Sequence, residues 1–303
     1  MARAALPPLP LRDGVGPSCV AVPGAGWPTV LDFLAERLPT LRRDEWRHRL
    51  DSGQVLDAQG HPVAAELPCR GGLRLYYYRG WADEPALDGA PEQIVFQDDW
   101  LVVADKPHFM PVTPGGRFVQ RSLLVRLRRR LGIDGLSPIH RIDRETAGLV
   151  AFAVQPHTRA GYQALFRDRQ ITKHYEAVAP WRADVAFPRE HRSRLEESAQ
   201  FFRMHEVPGT PNTHTRMDLL EVTGDWARYR LSPITGKRHQ LRVHMAALGL
   251  PLRNDAFYPV VNDPPEGDYS SPLQLLAQSL EFTDPLTGER RHFDSARSLQ
   301  PLG

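Results

Sequence analysis

Three short segments hold the residues whose chemistry stands out: HRIDRETAGL at 140–149, KHYEAV at 173–178 and PITGKRHQLRVH at 233–244. In the first, Asp143 stands between Arg141 and Arg144, so a carboxylate lies between two cations that favour its charged form. Such a group is a candidate nucleophile or base, or one member of a structural ion-pair knot in a loop. Tyr175 in the second segment, taken alone, reads as a strand tyrosine of the core or an interface. The third opens on a Thr235–Gly236 turn, and its basic residues fall at a predicted helix start, where free backbone amides and the helix dipole attract anions. Phosphate binding is one reading and a charged helix end in solvent the other. His140, Asp143, His239 and His244 could also be ligands of a metal-dependent hydrolase. Against that, residues 239 and 244 are separated by about 140° around a helix, which keeps them from sharing an ion.

The elements that must position these residues follow from periodicity. The charge-free run Leu149 to Val154 predicts a buried strand, which sets Asp143 on a loop beside the core. KHYEAVA alternates, placing Lys173, Tyr175 and Ala177 on one strand face. The helix after Gly236 buries Leu241, Met245 and Leu248, while His239 and Arg242, three apart, share another face. Upstream, IVFQDDWLVVADKP reads as two strands around a turn, and Ser122 caps a helix with Leu123, Leu124, Leu127 and Leu131 inward. A helix is expected at 158–169, strands at TRMDLLEV and WARYRLSP, and an irregular polar surface insertion at 181–212. The first 85 residues read separately: two short helices at 29–52, a hairpin around Gln59 and Gly60, the strand LRLYYYRG, and an acidic linker ADEPALDGAPE.

Composition narrows the partners. Two cysteines, Cys19 and Cys69, make neither a disulfide framework nor a paired zinc site, which favours a reducing cytoplasm. No apolar run approaches the length of a membrane span and the start lacks signal-peptide order, so a soluble, unexported protein is expected. Net charge is only +2, yet the charge is uneven. Residues 226–254 carry six basic residues and no acid, and 121–144 carry seven arginines against Asp134 and Asp143. Residues 1–90 balance 10 basic against 11 acidic side chains. The local positive surfaces suit a polyanion.

The three segments together resemble the signature motifs of the RluA-type RNA pseudouridine synthases. His140, Arg141, Ile142, Asp143, Thr146, Ala147, Gly148 and Leu149 match the first motif; Lys173, Tyr175, Ala177 and Val178 match the second. Pro233, Thr235, Gly236 and His239 to His244 match the third, with Lys237 where the family usually has Arg. Lys106–Pro107 and LLAQSLEFTDP fit weaker motifs, with Leu276 and Asp284 in place of histidines and Asn254 in place of a glycine.

The resemblance implies an α+β fold: a mixed, largely antiparallel sheet with a central catalytic cleft at 86–303, plus a small, degenerate α/β RNA-binding-like domain at 1–85. It implies a monomer that isomerises chosen uridines of ribosomal or transfer RNA, using no cofactor and no metal. Asp143 would initiate the reaction, by attack on base or sugar or by taking a sugar proton. Arg242 would pair with Asp143, and Tyr175 would pack on the uracil and serve in proton removal. Arg141, Arg144, Lys173, Lys237, Arg238, His239 and Gln240 would contact a structured RNA whose target uridine is flipped out, Arg141 filling the gap. The alternative is a catalytically silent RNA-binding protein that retains the fold.

Overall fold

The computed structural model describes residues 9–24, 26–79, 84–87, 91–200, 202–262, 265 and 267–302. The chain divides into two compact units, Met1–Glu84 and Pro85–Gly303. Of the acidic linker read at 82–92, only 84–87, 91 and 92 are among the described residues. No helix is long and apolar enough to cross a membrane among them.

In the first unit, β1 (Ser18–Ala21), α1 (Val30–Arg37), α2 (Arg43–Asp51), β2 (Val55–Leu56) and β3 (Arg74–Tyr77) form two helices and a three-stranded sheet of order β1-β3-β2. Helix α1 starts where Thr29 and Asp32 exchange capping bonds: the Asp32 amide donates to Thr29 Oγ1 and the Thr29 amide to Asp32. Val30, Phe33 and Leu34 then pack with Trp46, Leu50 and Leu75 into one small core.

The second unit contains β4 (Gln93–Gln97), β5 (Leu101–Lys106), α3 (Leu123–Leu131), β6 (Ser137–Pro138), β7 (Ala147–Ala153), α4 (Arg159–Arg167) and β8 (Thr172–Pro180). It continues with β9 (Arg189–Glu197), β10 (Met204–Val207), β11 (Thr213–Thr223), β12 (Trp226–Pro233), α5 (Gln240–Ala247), β13 (Leu275–Thr283) and β14 (Arg290–Asp294). Its eleven-stranded sheet runs β10-β9-β11-β12-β8-β13-β7-β5-β4, with β14 on β13 and β6 on β7. Among the described pairings only β13 with β7 is parallel. The fold is therefore α+β with a mixed, largely antiparallel sheet, as the resemblance implies.

Strands β5 and β7 are buried along their whole length, which is why they read as apolar runs rather than alternations. Gly148 lies where β7 meets β13. Its φ is +108°, and a Cβ there would come within 2.3 Å of the Ala277 carbonyl oxygen. Only glycine lets the two strands approach this closely, so the Gly of the TAGL segment is a packing requirement.

Two expectations are corrected. Residues 181–212 are not an irregular insertion, because β9 and β10 extend the sheet at its edge. Their charges pair along and across the strands: Arg192 and Arg216 with Glu190, Arg194 with Glu196, His191 with Glu206. Ser122 stands at the N-cap of α3, but its hydroxyl donates back to the Val119 carbonyl rather than capping the helix.

Candidate active site

The loop carrying Asp143 is tied down on both sides. His140 Nε2 accepts the Ala151 amide of β7, and its ring stacks on Phe166 of α4 with centroids 4.4 Å apart. Burial, and then the charge of Lys173, lower the His140 pKa to about 3, so this histidine is a neutral structural acceptor. After Asp143 the chain turns back through the bond from the Thr146 amide to the Asp143 carbonyl. The buried Lys106 ammonium clamps the far side, donating to the carbonyls of Pro107 and Arg144.

The carboxylate is 23% exposed and meets α5. Arg242 Nη1 lies 3.5 Å from Asp143 Oδ2, and His239 Nε2 lies 3.9 Å from the same oxygen. The flanking arginines do not hold it: Arg144 pairs with Glu145 at 2.8 Å, and Arg141 is exposed with no ion pair among the described residues. Arg242, 1% exposed, is itself held elsewhere. Its Nε and Nη2 donate at 2.8 and 2.6 Å to the two oxygens of Asp255, a buried carboxylate that also accepts the amides of Phe257 and Tyr258. The fork the resemblance assigns to Asp143 thus grips Asp255, and only Nη1 remains to face Asp143 and, at 3.8 Å, Glu145. Nη1 is buried and makes no hydrogen bond. Burial opposes the Arg242 charge most strongly, but the bond to Asp255 and the charges of Asp255, Asp143 and Glu145 together outweigh it and its pKa is raised. Asp255 was not recognised from sequence. The RNDAFYP segment held the one signal, Asn254, whose φ of 63° suits glycine or asparagine and aims the next residue inward.

Tyr175 lies on β8, half-buried, between the cores on either side of it. Burial first, and then the Asp143 charge, raise its pKa, so the phenol is held protonated in the resting site. The other site residues separate into groups. His239, at the N-cap of α5 with φ 54°, bonds Tyr258 through Nδ1, and burial lowers its pKa. Gln240, expected to touch RNA, is buried and spent: Oε1 accepts from Thr235 Oγ1 and the Lys237 amide, while Nε2 donates to the His214 carbonyl and Thr215. It holds the turn instead. Lys237 is exposed beside it, and Arg238 approaches Glu197 at 3.8 Å.

Asp143, Arg141, Ile142 and His239 form the wall between two cavities. The smaller, ≈ 380 Å³, holds Lys173, Tyr175, Phe166, Thr146 and Leu275; the larger, ≈ 980 Å³, is lined by Phe109, Phe118, Phe257 and Tyr269 with Arg144 and Asp255. His244, the fourth residue of the hydrolase reading, is not among them. It is buried with Nδ1 on Thr215 and Nε2 on Thr213 and Ser193, beside His191 and Glu206.

The same segments carry the likeness to known proteins. Residues 100–247 match a family described as RNA pseudouridylate synthase. The dual-specificity RNA pseudouridine synthase RluA of Haemophilus influenzae is 32% identical over 224 residues, 70% of this chain and 94% of that protein. The mitochondrial tRNA pseudouridine(32) synthase of Saccharomyces cerevisiae is 29% identical over 179 residues, 58% of this chain and 38% of its own length. In fold, the human RNA pseudouridylate synthase domain containing 1 superposes with a TM-score of 0.56 at 22% identity, covering 70% of this chain and 86% of that one. With its sheet, its motif loops and a full-length relative at this identity all in agreement, the chain belongs to the RluA-type family of RNA pseudouridine synthases.

Proposed function

We propose that this chain isomerises particular uridines in folded ribosomal or transfer RNA, working in the cytoplasm as a monomer, with Asp143 as the essential carboxylate. The observation that carries the assignment to Asp143 is its position on the wall between the two cavities, 3.5 Å from a buried arginine nitrogen that makes no hydrogen bond among the described residues. The names of the relatives support RNA as the substrate, transfer RNA included.

The reaction breaks the bond between N1 and C1′, joins C5 to C1′, gives the C5 proton to a base and returns one proton to N1, so the formula of the nucleotide is unchanged. Attack on the base, attack on the sugar and removal of a sugar proton all begin from a carboxylate anion. Arg242 Nη1 is placed to keep that anion turned toward the substrate, and the Asp255 fork keeps Arg242 from turning away. A uracil inside a helix is out of reach, so the nucleotide is flipped, most cheaply from a loop or bulge. The base enters the smaller cavity against Tyr175, which packs on the uracil and serves in the removal of the C5 proton. The exposed Arg141, free of ion pairs, is suited to the gap left behind, and Lys237 and Arg238 to the phosphates.

The test is pseudouridine mapping of total RNA from cells with and without the gene. Particular pseudouridines should vanish without it and return with the wild-type chain, but not with Asp143→Asn, whose shape is conserved. Restoration by Asp143→Asn overturns the assignment. A chain that binds RNA yet restores no pseudouridine is the silent binding protein instead.

A further inference from the structure

The smaller cavity contains a cation that the scheme above does not use. Lys173 precedes Tyr175 by two residues on β8, so both side chains leave the same strand face, and both line the cavity with Asp143. Among the described residues no carboxylate comes within ion-pair distance of its Nζ, and the contact it does make is with the Phe166 ring, 6.0 Å from the centroid. Gly236 faces the ammonium without a side chain, and a Cβ there would stand 4.0 Å from Nζ, in ordinary contact. Of the other cations lining the cavity, Arg242 grips Asp255 and Arg167 makes a two-bond pair with Asp168, while Arg141 and Lys237 are exposed. His140, whose ring stacks on that same Phe166, is uncharged.

A partly buried ammonium without a counterion is costly, and desolvation lowers its pKa to about 8. Such a group is useful where negative charge arises only during the reaction. Breaking the bond between N1 and C1′ leaves its electron pair on N1, and the detached uracil spreads that charge over O2 and O4. We infer that Lys173 is the residue that holds the detached uracil anion, donating to one of its carbonyl oxygens until C5 has joined C1′ and lost its proton. The inference rests on the activity proposed above. Lys173 transfers no proton and forms no bond; its role is electrostatic, stronger for the separated anion than for the neutral base.

Two measurements test it, one independent of turnover. In the first, uracil, which is neutral, and 5-nitrouracil, which is anionic near neutral pH, are titrated into the wild-type protein and into Lys173→Met. The wild type should prefer the anion and the variant should lose that preference, while Lys173→Arg keeps part of it. In the second, single-turnover pseudouridine formation is measured on ribosomal and transfer RNA transcripts. Lys173→Met should be slower by about 100-fold, with RNA affinity within about twofold and an unchanged salt slope. A lysine that served only as a phosphate contact would lower that slope by about 0.7 to 0.9. The melting temperature of Lys173→Met should not fall, since an unpaired, partly buried charge is removed. An unchanged preference for the anion, or a rate within threefold of wild type, overturns the inference. Wild-type protein with no turnover on any RNA would instead remove the proposed activity, and the titration would still report on Lys173.

Discussion

The arginines of the first unit and the cations around Asp143 make opposite use of similar residues. In the first unit Arg43 pairs with Asp32 at 2.7 Å, Arg47 with Glu66 at 2.8 Å, Arg42 with Asp44 at 3.1 Å, and Arg49 donates to the Tyr78 carbonyl. Among the five arginines of its helix pair, Arg37, Arg42, Arg43, Arg47 and Arg49, Arg37 alone is exposed without a bond given to it by the described residues. Around Asp143, Arg141 and Lys237 are exposed and Lys173 is partly buried, all three without ion pairs among the described residues. A count of basic residues would rank the two regions alike. What separates them is whether each charge already has a partner, because a compensated arginine must give up one contact to make another.

The contrast breaks first at Asp255. Asp255→Asn leaves Arg242 buried against a neutral amide, and removing one partner of a buried pair costs about 3–5 kcal/mol. The melting temperature should fall steeply and turnover with it, whereas Glu66→Gln, which removes an exposed partner of Arg47, should change either by little. Equal effects would mean that burial of the ion pair is not what distinguishes the regions. Next in size, Arg242→Lys should lower single-turnover rate by roughly 100-fold, since a lysine cannot reproduce the two-bond hold. Arg128→Lys, whose guanidinium bonds the Leu136 carbonyl, is the control and should stay within a few-fold of wild type.

A chain beginning at residue 86 should still isomerise a stem–loop, with RNA affinity only modestly reduced. If all five arginines of the first unit's helix pair contacted phosphate, its salt slope would fall by about 0.7 to 0.9 for each. Their partners predict a change of one contact or fewer, measured as binding against salt concentration for the full and shortened proteins. A loss of four or five contacts would show that exposed ion pairs yield readily to RNA, and the comparison would need redrawing.

The smallest effect concerns pH. Burial lowers Lys173 to about 8 and Lys106 to about 7, while the unfolded chain keeps these protons to about 10.5. Between those limits the unfolded state binds more protons, so both groups make stability rise with pH through that window and fall again toward neutrality. In the first unit the signs lead to the acid side: bonds from Thr29 and Arg43 lower Asp32, and the bond from Arg47 lowers Glu66, so their contribution is lost as pH falls through the carboxylate range. Urea unfolding at pH 7 and pH 9 should show wild type gaining on Lys173→Met, by up to about 1 kcal/mol per pH unit titrated. A constant difference would mean that Lys173 does not titrate there.

Much of the second unit was legible because its signals are local. Leu149 to Val154 had to be a buried strand, and KHYEAVA had to present Lys173 and Tyr175 on one face, since pleat geometry allows nothing else. The edge strand β9 was not legible. Leu195 is its one buried position, and the charges of REHRSRLEE pair both two residues along the strand and with Glu206 and Arg216 farther off, leaving no apolar alternation to detect.

At the site, the sequence by itself determined which groups were present and which family motif they spell, because motif residues sit close together along the chain. Only the tertiary structure decided how they are paired. Arg141 and Arg144 are next to Asp143 in sequence, yet its cation is Arg242 from α5. Arg242 in turn is committed to Asp255, and Gln240 to the turn it closes. Which carboxylate an arginine grips depends on the packing of the helix that carries it and on which charges burial leaves without water. Both are set by contacts between segments far apart in the chain, and spacing within a motif carries no information about them.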